Sequence, residues 1–135
     1  MFNILKGAGV AFMLVLALVI FSMYTDYNSG VLFLIHSIPF GDKFCHFFVI
    51  GLLTFFANIL LDHKKTEFFI TPILLGSVFV FAFATLDEVT QMFFEHRNCE
   101  LLDFVANYAG IYVFSKIGDQ IPETIIPRRK VSLIP

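Results

Sequence analysis

Carboxylates, amides and His46 stand at helical spacing in this chain and could do chemistry together. Asp42 and His46 are four residues apart, as are Asp87 and Gln91, and Asp103 and Asn107; Glu88 and Gln91 are three apart. Residues three or four apart share a helix face. Each pair therefore projects a small polar set from one side of its helix. A carboxylate orients an imidazole, and an imidazole moves a proton near neutral pH. His46, Asp87 and Glu88 are accordingly the candidate acid–base groups. Asp87 and Glu88 are adjacent, so on a helix they point about 100° apart. The pairing with Gln91 predicts that Asp87 faces inward and leaves Glu88 to pair with Lys43 or Arg97. Asp42, Lys43, Gln91, Arg97, Asp103 and Asn107 form the candidate ligand-binding set. Lys43 and Arg97 can grip a phosphate or carboxylate, Arg in bidentate fashion. The competing reading is structural: a hydrogen-bond network that packs helices, with Asp103 and Asn107 as cap and interhelical glue.

Imidazole and carboxylates such as His46, Asp87, Glu88 and Asp103 can also ligate a divalent ion. No HExxH or Cys/His zinc spacing accompanies them, so neither a metal nor a cofactor is expected. Two cysteines, Cys45 and Cys99, allow one internal disulfide at most. No Ser or Cys nucleophile with a partnered base is identifiable.

The elements that position these groups read as membrane helices. The 135 residues are 58% hydrophobic and only 15% charged, and the mean hydropathy is +0.83. A soluble domain carries about 25% charge. The net charge of -2 leaves no nucleic-acid footprint. Apolar runs predict an all-α integral membrane bundle of four transmembrane helices, over 4–24, 42–61, 68–94 and 101–117. The first retains its place as a helix rather than a signal peptide, because no small-x-small cleavage site follows it. Asp42 is the expected N-cap of the second. The third tolerates Pro72 in its first turn. A short apolar piece, Val31 to Ile38, lies in the interface of the first outer loop. Residues 1–117 make one domain, and 118–135 a basic tail on the membrane surface.

Orientation follows from Lys and Arg. Seven of them (Lys6, Lys64, Lys65, Lys116, Arg128, Arg129, Lys130) fall on the side of the termini and the second loop, and two (Lys43, Arg97) on the other. Both termini are therefore expected in the cytoplasm, and the polar groups of the second, third and fourth spans at the outward end, around a Phe-rimmed pocket.

The segments Asp42-Lys43-Phe44-Cys45-His46, Leu86-Asp87-Glu88-Val89-Thr90-Gln91-Met92-Phe93, Arg97 and Asp103-Phe104-Val105-Ala106-Asn107-Tyr108-Ala109-Gly110 follow one another over about half the chain. In order and spacing they resemble the VanZ-like membrane proteins, whose founding member is associated with resistance to the lipoglycopeptide teicoplanin. Two places after the Arg, where that family often has a small or hydroxylated residue, this chain has Cys99. The resemblance implies a multi-pass protein of the bacterial cytoplasmic membrane with an extracytoplasmic polar centre. It implies no defined reaction.

Three functions fit these features. One is binding of membrane lipids, or of a lipid-linked envelope molecule or lipoglycopeptide, with a contribution to glycopeptide resistance. The second is acid–base chemistry on a lipid-like substrate. The third is a structural role in assembly.

Overall fold

The computed structural model describes residues 1–25, 37–68, 71–91, 93, 100–122 and 125. It is mostly helical, in keeping with the all-α expectation. The elements are α1 (Phe2–Thr25), α2 (Gly41–Leu60), a two-stranded antiparallel ribbon of β1 (Lys65–Phe68) and β2 (Thr71–Leu74), α3 (Leu75–Gln91) and α4 (Leu101–Asp119). Among the described residues, two helical stretches, Phe2–Val19 and Gly41–Leu60, are long and apolar enough to cross a membrane.

The third helix starts later than its apolar run suggests. Phe68 and Thr71–Leu74 lie in strands: Lys65 pairs with Leu74 and Glu67 with Pro72 across the ribbon. Proline disfavours the helical region for the residue before it, so Thr71 is extended and the helix begins only beyond Pro72. The carbonyl of Lys64 accepts from the Leu75 N–H at 2.8 Å, which ties the base of the ribbon to the start of α3. The last helix runs two residues further than expected, to Asp119. The basic run at 128–130, most of the interfacial piece at 31–38, and Cys99 lie outside the described residues.

α2 and α4 form the most extensive helix pair, and glycines let them approach. Gly110 lies against the Phe47 carbonyl, and Gly51 against the Phe114 ring. α3 packs on this pair with a stripe of buried residues, Ser77, Val80, Ala84, Glu88 and Gln91. Ile50, Leu53, Ala57, Val80, Ala84 and Ile111 form the apolar core. α1 adds Phe12 and Leu16 to one side; the Phe12 and Phe56 rings are 5.3 Å apart.

The end of α2 closes without glycine. The His63 N–H reaches the Asn58 carbonyl at 2.9 Å and the Asp62 N–H reaches that of Ile59 at 3.1 Å. These are the two bonds of a Schellman cap. Asp62 and His63 take φ of 53° and 51°, a left-handed region that Asp tolerates better than most residues. Lys6 of α1 pairs with Asp62, and Lys65 pairs with Asp119 at 2.9 Å. The start of α1, the end of α2, the ribbon and the end of α4 thus share one end of the bundle.

Candidate functional site

The opposite end gathers the polar residues of three helices. Asp42, Lys43 and His46 come from the first turns of α2, Glu88 and Gln91 from the end of α3, and Asp103 and Asn107 from the start of α4. Glu88 is 0% exposed, Asp103 and Asn107 2% each and Gln91 3%. Buried polar groups at this density must satisfy one another.

The inner part of the cluster is a triangle of Glu88, His46 and Asn107. Asn107 Nδ2 donates to Glu88 Oε1 at 2.8 Å. His46 Nδ1 is 3.2 Å from the same Oε1 and 3.1 Å from Asn107 Oδ1. Both neighbours are acceptors, so the network places a proton on Nδ1. Nε2 faces Asp42 Oδ1 at 3.6 Å.

The outer part is organised by Lys43. Its ammonium is 2.6 Å from Asp103 Oδ1, 2.7 Å from Glu100 Oε2 and 3.1 Å from Asp42 Oδ2. One cation therefore joins the first turn of α2 to that of α4. Such a pair, partly withdrawn from water, costs far more to break than an exposed one.

Several expectations change in detail. Glu88, not Asp87, is the inward carboxylate. Asp87 is half-buried and its Oδ2 accepts from Gln91 Nε2 at 3.0 Å, along their own helix. The ion pairs of Lys43 go to Asp42, Glu100 and Asp103, so Glu88 takes His46 and Asn107 as partners in place of Lys43. Asp42 is not the N-cap of α2. That position is Phe40, with φ 59° and no side-chain cap bond, and Asp42 belongs to the first turn. Asp103 likewise lies inside α4, one turn past the N-cap residue Glu100. Arg97 lies outside the described residues.

Two features have no forewarning in the motifs. Glu100 completes the shell around Lys43. A second buried network at the other end of the bundle joins α2, α3 and α4: Asn58 Nδ2 donates to Ser77 Oγ at 2.9 Å, the Ser77 N–H donates to Asn58 Oδ1 at 3.0 Å, and Ser77 Oγ donates to Ser115 Oγ at 2.9 Å. Gly76 fits beside Asn58 because a Cβ there would collide with it. A groove of about 520 Å³ between β2, α3 and α4 opens near this network and the Lys65–Asp119 pair, away from His46 and Glu88.

No family model matches the chain, and no solved structure matches it. A segment of 95 residues, 70% of the chain, is 32% identical to an uncharacterized protein of Schizosaccharomyces pombe and covers 54% of that protein. The chain thus spans about half the length of this curated relative.

Proposed function

We propose that the chain is a VanZ-like protein of four membrane spans whose polar end binds the charged head of an amphiphile. The ligand class is a lipid-linked envelope molecule or a lipoglycopeptide, and the role is a contribution to glycopeptide resistance or to the cell envelope. On the VanZ resemblance the membrane is the bacterial cytoplasmic membrane, with the cluster on its outer side.

The observation that carries this reading is an inverted distribution of polarity. Glu88, Gln91, Asp103 and Asn107 are buried, while Leu14, Leu18, Phe44, Phe79, Phe83 and Leu86 are exposed. In water such an exterior would associate; in hydrocarbon it is well solvated. Ionisable groups inside membrane helices face the bundle interior and mark functional sites. α3 has 17 residues and α4 has 19, so at about 1.5 Å per residue both approach the hydrocarbon thickness. In this reading Lys43 is the cation that meets a phosphate or carboxylate, by giving up one of its three carboxylate partners.

The second reading, an acid–base enzyme, has its own support in the Asp42–His46–Glu88 line, which sets an imidazole between two carboxylates. Titration of purified protein in nanodiscs with a lipid-linked envelope precursor and with teicoplanin separates the two. The binding reading expects Lys43→Gln to weaken association by about tenfold or more, the worth of one charge-assisted hydrogen bond. His46→Gln should leave binding nearly unchanged. Equal affinity of wild type and Lys43→Gln at unchanged helix content would reject the binding reading. Turnover of the precursor that His46→Gln abolishes, with binding retained, would establish the enzyme. Orientation has a separate check: an impermeant maleimide should label Cys99 in intact cells, and labelling only after lysis would reverse the topology.

A further inference from the structure

We infer that Asp42, His46 and Asp103 form a binding site for a divalent transition-metal ion of the zinc class. The inference concerns these three side chains alone and stands whether or not an amphiphile binds.

One ligand atom from each of the three residues lies within 4.8 Å of the others. They come from two helices, α2 and α4, that the Gly110 contact holds in close register. Imidazole nitrogen and carboxylate oxygen are the donors that zinc takes, at about 2.0–2.2 Å. Donors at that distance in a tetrahedral set are roughly 3.4 Å apart. The separation of His46 Nε2 from Asp42 Oδ1, 3.6 Å, already matches such an edge.

The setting of the His46 ring suits a ligand on its outer nitrogen. Its Nδ1–H is committed to Glu88 Oε1 and Asn107 Oδ1. Nε2, on the other side of the ring, faces the Asp42 carboxylate at 3.6 Å. A positive charge between the two serves both, and a bound ion supplies it as a ring proton does. A buried carboxylate behind the imidazole, with the other ring nitrogen turned to the ion, is the usual second layer of a histidine metal ligand. Glu88 holds that place, fully buried, and its Oε2 has no hydrogen-bond partner.

Charge balance agrees. Among the described residues, Asp42, Glu88, Glu100 and Asp103 bring four carboxylates to the cluster, against the single ammonium of Lys43. Lys43 Nζ, between Asp42 and Asp103, marks a position where a cation is stabilised. An incoming ion competes with it there, and Lys43 keeps Glu100 as its partner. The sequence gives no motif for this site because its ligands come from two helices about sixty residues apart.

The full chain in detergent micelles, stripped with EDTA and titrated with Co²⁺ and then Zn²⁺, tests the inference. The expected result is one equivalent of Co²⁺ bound, with visible d–d absorption that Zn²⁺ displaces. His46→Gln and Asp103→Asn should each weaken binding by at least a hundredfold. Glu88→Gln should weaken it by about 10–100-fold by releasing the ring. Lys43→Met should tighten it by removing the competing ammonium. Asp42→Asn, at a half-exposed helix end, keeps the bundle folded and should still cost tenfold or more. Absence of saturable one-equivalent binding overturns the inference. So does an affinity of Asp42→Asn equal to that of the wild type.

Discussion

Gly110→Leu is expected to unfold the bundle or leave it marginal. A Cβ at position 110 would run into the Phe47 carbonyl oxygen and crowd the Gly51 amide nitrogen. Both obstacles are backbone, so no rotamer change relieves them, and α2 and α4 must separate. Overpacking in a tight core costs about 1–3 kcal/mol and occasionally more. The loss here belongs at the upper end, because separation also pulls Lys43 from Asp103 and His46 from Asn107. Two other glycines give the comparison. At Gly51 the obstacle is the Phe114 ring, a side chain able to shift, so Gly51→Ala should cost less than Gly110→Ala. At Gly7 nothing lies within 4 Å, so Gly7→Ala should gain up to about 1 kcal/mol of helix propensity. Thermal or SDS-induced unfolding of the purified variants gives the order directly. A Gly110→Leu protein that melts with the Gly7→Ala one would mean that α2 and α4 do not cross there.

Asn107→Leu is the second large effect. It removes the donor to Glu88 Oε1 and the acceptor near His46 Nδ1 together. Both partners are then left short of a bond in a site closed to water. Loss of a hydrogen bond to a buried charged group costs about 1.5–3 kcal/mol. The diagnostic lies in the double variant. Once Asn107 is leucine, Glu88→Leu removes a group whose burial is no longer compensated, so the pair should be more stable than the sum of the two single losses. Strict additivity in the same unfolding assay would show that Glu88 and Asn107 are not bonded partners.

Much of the architecture was legible, and for definite reasons. Apolar runs located the helices because a membrane-like exterior requires them. The polar residues of Asp42-Lys43-Phe44-Cys45-His46 and of Asp103 to Asn107 converge because both open helices that run parallel, with the antiparallel α3 returning the chain between them. The choice between Asp87 and Glu88 went the wrong way because both share Gln91 within one turn, which fixes spacing but not the rotation of the helix. A further signal lay upstream. Ser77, Ala84, Glu88 and Gln91 make a stripe of small and polar residues, whereas Phe79, Phe83 and Leu86 make an apolar one; on a helix whose exterior is apolar, the small and polar stripe is the buried one. The strand Thr71–Leu74 is hidden in a longer apolar run, since a short apolar strand and a buried helix segment look alike without periodicity. Glu100 carries no signal at helical spacing, because its pairing with Lys43 is made between helices.

The two polar networks have a joint consequence for charge movement. Along α2 the order is His46, then Ile50 and Leu53, then Asn58; along α3 it is Ser77, Val80, Ala84, Glu88; along α4 it is Asn107, Ile111, Ser115. His46 and Asn58 are twelve residues apart, or about 18 Å of helix. The hydroxyl between them on α2, that of Thr54, is bonded to its own helix at the Ile50 carbonyl, 2.8 Å away. Among the described residues the middle of the bundle is thus largely apolar, crossed by the contact of Thr85 Oγ1 with Tyr108 Oη at 3.1 Å. In the membrane-spanning arrangement proposed above, this apolar middle favours exchange of the cluster with the compartment on its own side.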